Sequence, residues 1–96
     1  MWGDGPFWAY ILENGAGKFY VGSTDDLSRR FPEHNDPERS KSKFTAKHGP
    51  WGLVWAESHA TRASAMARER FIKSRKSATW IRQYLLGKAS PDVHRD

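Results

Sequence analysis

The tightest constraint on this chain is a pair of aromatic, apolar segments set on either side of a glycine-rich turn. Residues 7–13 read Phe-Trp-Ala-Tyr-Ile-Leu-Glu and residues 18–23 read Lys-Phe-Tyr-Val-Gly-Ser, with Asn14-Gly15-Ala16-Gly17 between them. Runs this short and this rich in aromatic and β-branched residues predict strands, and the turn residues predict a hairpin. The first run is apolar without alternation, as expected of a strand covered on both faces. Loop length then decides which side chains share a face. An even loop sets Glu13 opposite Lys18 and Tyr10 opposite Val21, and puts Tyr10 and Tyr20 on opposite faces. A three-residue loop, Gly15-Ala16-Gly17, sets Leu12 opposite Tyr20 and Tyr10 opposite Gly22. Both phenols then share a face, because side chains alternate with period two. Gly17 supplies the left-handed residue that such loops favour, so the odd loop is preferred.

The rest of the chain supplies cover for that hairpin. Residues 1–6 are expected to be a flexible lead-in. Thr24 or Asp25 is placed to cap a helix in which Leu27 and Phe31 make an i, i+4 contact. Pro32 predicts a kink in that helix or an end near Phe31. Residues 35–50 are polar and basic and read as a long exposed connection. A third strand is expected over 51–58 and a helix capped by Thr61 over about 62–74. A last helix over about 77–86 carries Ala78, Ile81 and Leu85 on one stripe, with Tyr84 beside it and Gly87 closing it. The tail, 88–96, is expected to be disordered. The order β-β-α-β-α-α over residues 7–87 predicts a small layered α/β domain, with a three-stranded, mostly antiparallel sheet flanked by helices.

Composition narrows the function classes. A chain of 96 residues can build one small core. It has no run approaching the roughly 20 apolar residues that span a bilayer and no secretory leader pattern, so no membrane role is expected. Absence of cysteine removes disulfides and thiolate metal sites and suits a reducing, cytoplasmic compartment. A net charge of +5 favours a polyanionic partner.

Several residues are suited to phosphodiester chemistry. Arg30 shares a helix face with Asp26 and His34, and its planar guanidinium matches phosphate geometry; the ordinary reading is a solvated arginine paired with Asp26. Glu69 lies on a partly apolar helix face, where a carboxylate needs a partner or a metal. A salt bridge to Lys73 or Arg62 is its ordinary structural reading. Tyr10 and Tyr20 are by default packing residues, and a phenol serves as a base only when its pKa is lowered. His34 could take the same proton with less tuning. Lys41, Lys43 and Lys47, interleaved with Phe44 and His48, together with Arg29, suit contact with phosphates or a merely solvated surface. The four histidines lack zinc-ligand spacing.

Taken in order, these residues resemble the GIY-YIG nuclease family. Ala9-Tyr10-Ile11 stands for its first motif and Tyr20-Val21-Gly22 for its second. Arg30 follows ten residues after the second tyrosine, His34 four later, and Glu69 sits within Ala65-Met66-Ala67-Arg68-Glu69. The segment Lys43 to Trp51 also looks like the small single-domain subgroup that resembles the N-terminal domain of excision-repair nucleases. Trp8 replaces the first glycine of the family name, Ser23 replaces a basic residue that often follows the second motif, and a late asparagine of some members has no counterpart.

The resemblance implies a divalent-metal-dependent endonuclease that hydrolyses DNA, with repair or recombination as its setting. It implies that Glu69 holds Mg²⁺ or Mn²⁺, that Tyr10 activates water with help from Tyr20, that Arg30 neutralises phosphate charge, and that His34 orients water or phosphate. DNA is the expected partner, with RNA second, and a separate targeting protein fits so small a chain. Two readings compete: a non-catalytic nucleic-acid-binding module of the same fold, and an interaction domain using Trp2, Trp8 or Trp55.

Overall fold

The hairpin closes with the odd loop. In the computed structural model, which describes residues 6–40 and 42–87, strand β1 (Phe7–Asn14) pairs antiparallel with β2 (Phe19–Thr24). Tyr10 faces Gly22 and Leu12 faces Tyr20. Gly17 takes φ 80°, a left-handed value that costs a residue with a Cβ. The Asn14 side chain braces the turn, its Oδ1 accepting from the Ala16 and Lys18 amides at 3.0 and 2.8 Å.

Strand β1 is central. On its other edge it pairs antiparallel with β3 (Trp51–His59), giving the order β2-β1-β3. That position explains the unbroken apolar run: Ala9, Tyr10, Ile11 and Leu12 are all buried. The β1–β3 register slips between Ile11 and Leu12, Val54 being the extra residue on β3. Strand β2 is left as an edge.

Helices cover both faces. On one face α1 (Leu27–His34) and α2 (Lys43–His48) pack near Tyr10, Leu12 and Trp51, with Tyr20, Leu27 and Phe31 against them. On the other, α3 (Arg62–Arg75) and the last helix meet Ile11 and Val21 through Ile72 and Ile81. The last helix is a single α-turn, α4 (Ala78–Trp80), that runs directly into a π-helical turn at Ile81–Leu85. Its wider turn closes with the Leu86 amide on the Ile81 carbonyl at 3.0 Å, and Gly87 ends it at φ 69°. The result is the layered α/β arrangement expected from the order of elements.

Four local expectations are corrected. Asp26, not Thr24 or Asp25, caps α1, accepting from the Arg29 amide at 3.1 Å; Thr24 instead accepts from the Asp26 amide at 3.1 Å. Of the two outcomes expected at Pro32, an end near Phe31 is not found: helix α1 runs through Pro32 to His34, with Asn35 as its C-cap, because Pro32 is on the exposed side and its lost hydrogen bond faces solvent. The segment 35–50 is not simply a connection: it contains α2, capped by Ser42, and buries Thr45. Ala78 is exposed, so the stripe of the last helix rests on Ile81 and, less deeply, Leu85. The lead-in through residue 5, including Trp2, together with Lys41 and the tail 88–96, lies outside the described residues.

Candidate active site

Three elements converge on the edge strand β2. Tyr10 starts from β1, and its ring passes over Gly22. A Cβ placed on Gly22 would lie 2.6 Å from the Tyr10 hydroxyl oxygen and 3.0 Å from the Tyr20 ring. The glycine of the second motif is therefore a window through which the phenol crosses the neighbouring strand. Tyr20 lies beside it, the two ring centres 6.4 Å apart.

Helix α1 closes over these rings. His34 is 2% exposed, with Nε2 2.6 Å from the Tyr10 hydroxyl and Nδ1 3.1 Å from Thr45 Oγ1. Thr45 Oγ1 donates to the Ser42 carbonyl at 3.2 Å, so it is best used as an acceptor toward His34. The assignment that satisfies every partner has Nδ1–H donating to Thr45 and Nε2 accepting from the Tyr10 O–H. Burial, and after it the Arg30 charge, pushes His34 down to about 4, so at neutral pH it is an uncharged acceptor. Burial also pushes the Tyr10 phenol up, and Tyr20 adds to this against the opposing pull of Arg30. Tyr10 is 1% exposed and its hydroxyl donates a hydrogen bond to His34 Nε2, whereas Tyr20 is only half-buried.

Arg30 lies against the same phenol from α1. Its expected partner Asp26 is occupied elsewhere, and Arg30 Nη1 instead meets Glu33 Oε1 at 3.4 Å. The Arg30 side chain is 21% exposed, so the guanidinium is held at the rim rather than loose in solvent.

Glu69 reaches this edge from the opposite face of the sheet. It projects from α3, its Oε1 accepting from Ser23 Oγ at 2.6 Å and its Oε2 from Lys73 Nζ at 2.6 Å. Ser23 shares the α3-facing side of β2 with Val21, while Tyr20 and Gly22 point the other way. The Glu69 charge still reaches across the strand and adds to the raising of Tyr10. Of its two expected ordinary partners, Lys73 is found; Arg62 pairs with Asp25 at 3.2 Å instead.

A divalent cation could be accommodated at Glu69. Both carboxylate oxygens retain a lone pair beyond the bonds to Ser23 and Lys73, and the side chain is 19% exposed. Among the described residues no group of three or more His, Asp or Glu could hold an ion by protein ligands alone. The remaining ligands would be water and phosphate oxygens, the ordinary mode for Mg²⁺.

The proposed nucleic-acid contacts are distributed less tightly. Lys43 and Lys47 are exposed one turn apart on α2. Arg29 is surrounded by Glu33, Asp25 and Asp26 at 3.2, 3.6 and 3.7 Å, so carboxylates already occupy its fork.

Three residues were not assigned parts by sequence reasoning. Ser23 had been noted only as a departure from a pattern, yet it holds Glu69. Gly22 is required by the crossing phenol. Thr45 anchors His34, and its helix carried a legible signature: Ser42 as cap, Lys47 and His48 in the last turn, and Gly49-Pro50 as a stop.

Comparison with known proteins identifies the family. Residues 6–84 match the family described as the GIY-YIG catalytic domain. The chain is 33% identical over 73 residues to a UPF0213 protein of Streptococcus pneumoniae serotype 4, covering 76% of this chain and 72% of that protein. It is 40% identical over 67 residues to a UPF0213 protein of Haloquadratum walsbyi, covering 70% and 73%. A solution NMR structure of a UPF0213 protein from Bacillus halodurans is 29% identical, with a TM-score of 0.49 and coverage of 83% of this chain and 86% of that one. With a family match spanning most of its length, the chain belongs to the GIY-YIG catalytic-domain family.

Proposed function

We propose that this chain is a divalent-metal-dependent endonuclease that hydrolyses DNA phosphodiester bonds at the edge of β2, in a repair or recombination setting. The observation that carries this reading is the convergence around Gly22. Two phenols, a neutral imidazole and a guanidinium meet there from one face, and the Glu69 carboxylate meets them from the other.

Each group has a part that its surroundings support. Arg30 binds a non-bridging oxygen of the scissile phosphate and offsets the charge that grows there, where a fixed guanidinium contributes most. Tyr20, the more exposed phenol, orients the attacking water. Tyr10 and His34 form a buried brace that fixes the height of Tyr20 and Arg30 over the edge strand. Glu69, steadied by Ser23, would hold Mg²⁺ or Mn²⁺. A cation so held supplies Lewis-acid stabilisation to the phosphate and the departing 3′-oxygen. Lys43 and Lys47 contact phosphates away from the cut, a sequence-independent role.

One observation favours the second reading, a binding module that does not cut: Glu69 is already paired with Lys73 and Ser23. Labelled single-stranded, duplex, flapped and branched DNA, incubated with Mg²⁺ or Mn²⁺, separates the two. The nuclease reading expects a metal-dependent product that Glu69→Ala abolishes. Full cleavage by Glu69→Ala ends it, and salt-dependent binding with no product from any substrate selects the module instead.

A further inference from the structure

Farther along the same edge of β2, toward the hairpin turn, lies a cavity of about 420 Å³ that the cluster around Gly22 does not use. Its floor is apolar, built from Phe19, Val21, Ile72 and Ile81. One wall is the Phe44 ring, 39% exposed and propped by Trp51 and His48 with ring centres 5.6 and 4.7 Å away. Lys18, Lys73 and Lys76 stand around the rim, and no carboxylate of the described residues lines the cavity. Lys18 and Lys76 form no ion pair among the described residues, and Lys73 is the residue that meets Glu69. One helical turn of α3 therefore joins this cavity to the candidate metal ligand.

The two halves of this lining restrict the occupant. A free phosphate would use the lysines and leave the aromatic wall and apolar floor without purpose. An apolar peptide would use the floor and leave three ammonium groups facing it. A nucleotide uses both, with its base against Phe44 and its phosphates on the lysines. The volume falls within the usual range for a small-ligand site.

We propose that this cavity seats one unpaired base of the strand being cut, with its flanking phosphates on Lys18, Lys73 and Lys76. This deepens the nuclease reading, on which its orientation rests, by naming the substrate class: DNA with an unpaired nucleotide beside the scissile bond. A base inside an intact duplex reaches such a site only after unstacking and unpairing, which weakens duplex binding.

The test is a binding measurement on the full chain carrying Glu69→Ala, in metal-free buffer, by fluorescence anisotropy with a labelled single-stranded oligonucleotide and the blunt duplex of the same sequence. The single strand is expected to bind more tightly. Phe44→Ala is expected to weaken it about tenfold, in the range of one lost base stack. Phe44→Leu keeps an apolar side chain toward Trp51 and should lose nearly as much, which separates stacking from misfolding. Lys76 closes α3 at φ 50°, where glycine is favoured, so Lys76→Gly should raise the Tm while lowering the salt-dependence slope by about 1. Equal affinity for strand and duplex overturns the proposal. So do Phe44 and Lys76 variants that bind like their parent, the result expected if the cavity serves a protein partner. Because no metal and no cleavage enter the assay, its outcome is independent of whether the unsubstituted chain cuts DNA.

Discussion

The two faces of the sheet contribute to the site in opposite ways. On the α1 side, Tyr10, His34 and Thr45 form a buried relay in which every side-chain polar atom is hydrogen-bonded. On the α3 side, the Glu69 side chain is 19% exposed and held by two contacts, one of them to a lysine that is 52% exposed. The buried relay is a scaffold whose worth lies in stability and placement. On the proposed nuclease reading, the carboxylate side is the part that would exchange its lysine for a cation. A site assembled across an edge strand can thus be rigid where groups must be positioned and open where a ligand enters.

The largest expected effect tests the open side. Glu69→Ala should lower metal-dependent cleavage by about 10²-fold or more, in line with the loss of a preorganised charge. Its unfolding free energy should change by less than about 1 kcal/mol, because exposed ion pairs contribute little. A large fall in stability would show that Glu69 belongs to the scaffold and would break the contrast.

Next is the buried side, read through pH. His34 titrates near 4 when folded against 6.5 as a free side chain, so the unfolded chain binds more protons between these values. The stability associated with neutral His34 is fully present above about 6.5 and is lost as pH falls toward 4. The shift corresponds to ~3 kcal/mol. Urea unfolding at pH 7 and pH 4 should show this loss, and His34→Gln should flatten that part of the curve. An unchanged pH profile in the variant would remove His34 from the buried relay.

Gly22→Ala sharpens the contrast at the point where the faces meet. The new methyl would lie 2.6 Å from the hydroxyl oxygen of a ring pinned by His34, closer than van der Waals contact allows, so the ring or strand must shift. A loss of about 1–3 kcal/mol is expected, as for overpacking in a core, together with reduced cleavage. Calorimetry and the cleavage assay on one sample check both, and native-like values in each would show that the window is not needed. The smallest effect is on the lysine latch: Lys73→Ala should cost stability less than about 1 kcal/mol. It should also lower the metal concentration that gives half-maximal cleavage. An unchanged or higher half-saturation value would show that Lys73 does not compete with the cation.

Much of this arrangement was legible before any fold was known. Gly17 and the three-residue loop set the hairpin register, and with it the shared face of Tyr10 and Tyr20. Thr61 and Gly87 marked the ends of the helices that cover the other face. The segment holding α2 was harder: its cap and stop residues are present, but six residues have too little local stability to form a helix alone, and this one is fixed by Thr45 meeting His34 and Trp51. The cap of α1 was misplaced by one or two residues among three successive polar candidates, Thr24, Asp25 and Asp26, which local chemistry scarcely distinguishes.

By itself the sequence determined the hairpin, its odd register, the cover on both faces of β1 and the set of chemically able side chains. These follow from short-range rules: loop length, period-two alternation and unbroken apolarity. Only the tertiary structure decided which phenol is buried, that Glu69 comes from the far face, and that Ser23 and Lys73 hold it. Those outcomes depend on long-range packing, because burial and partner distance, not residue type, set the protonation and freedom of each group.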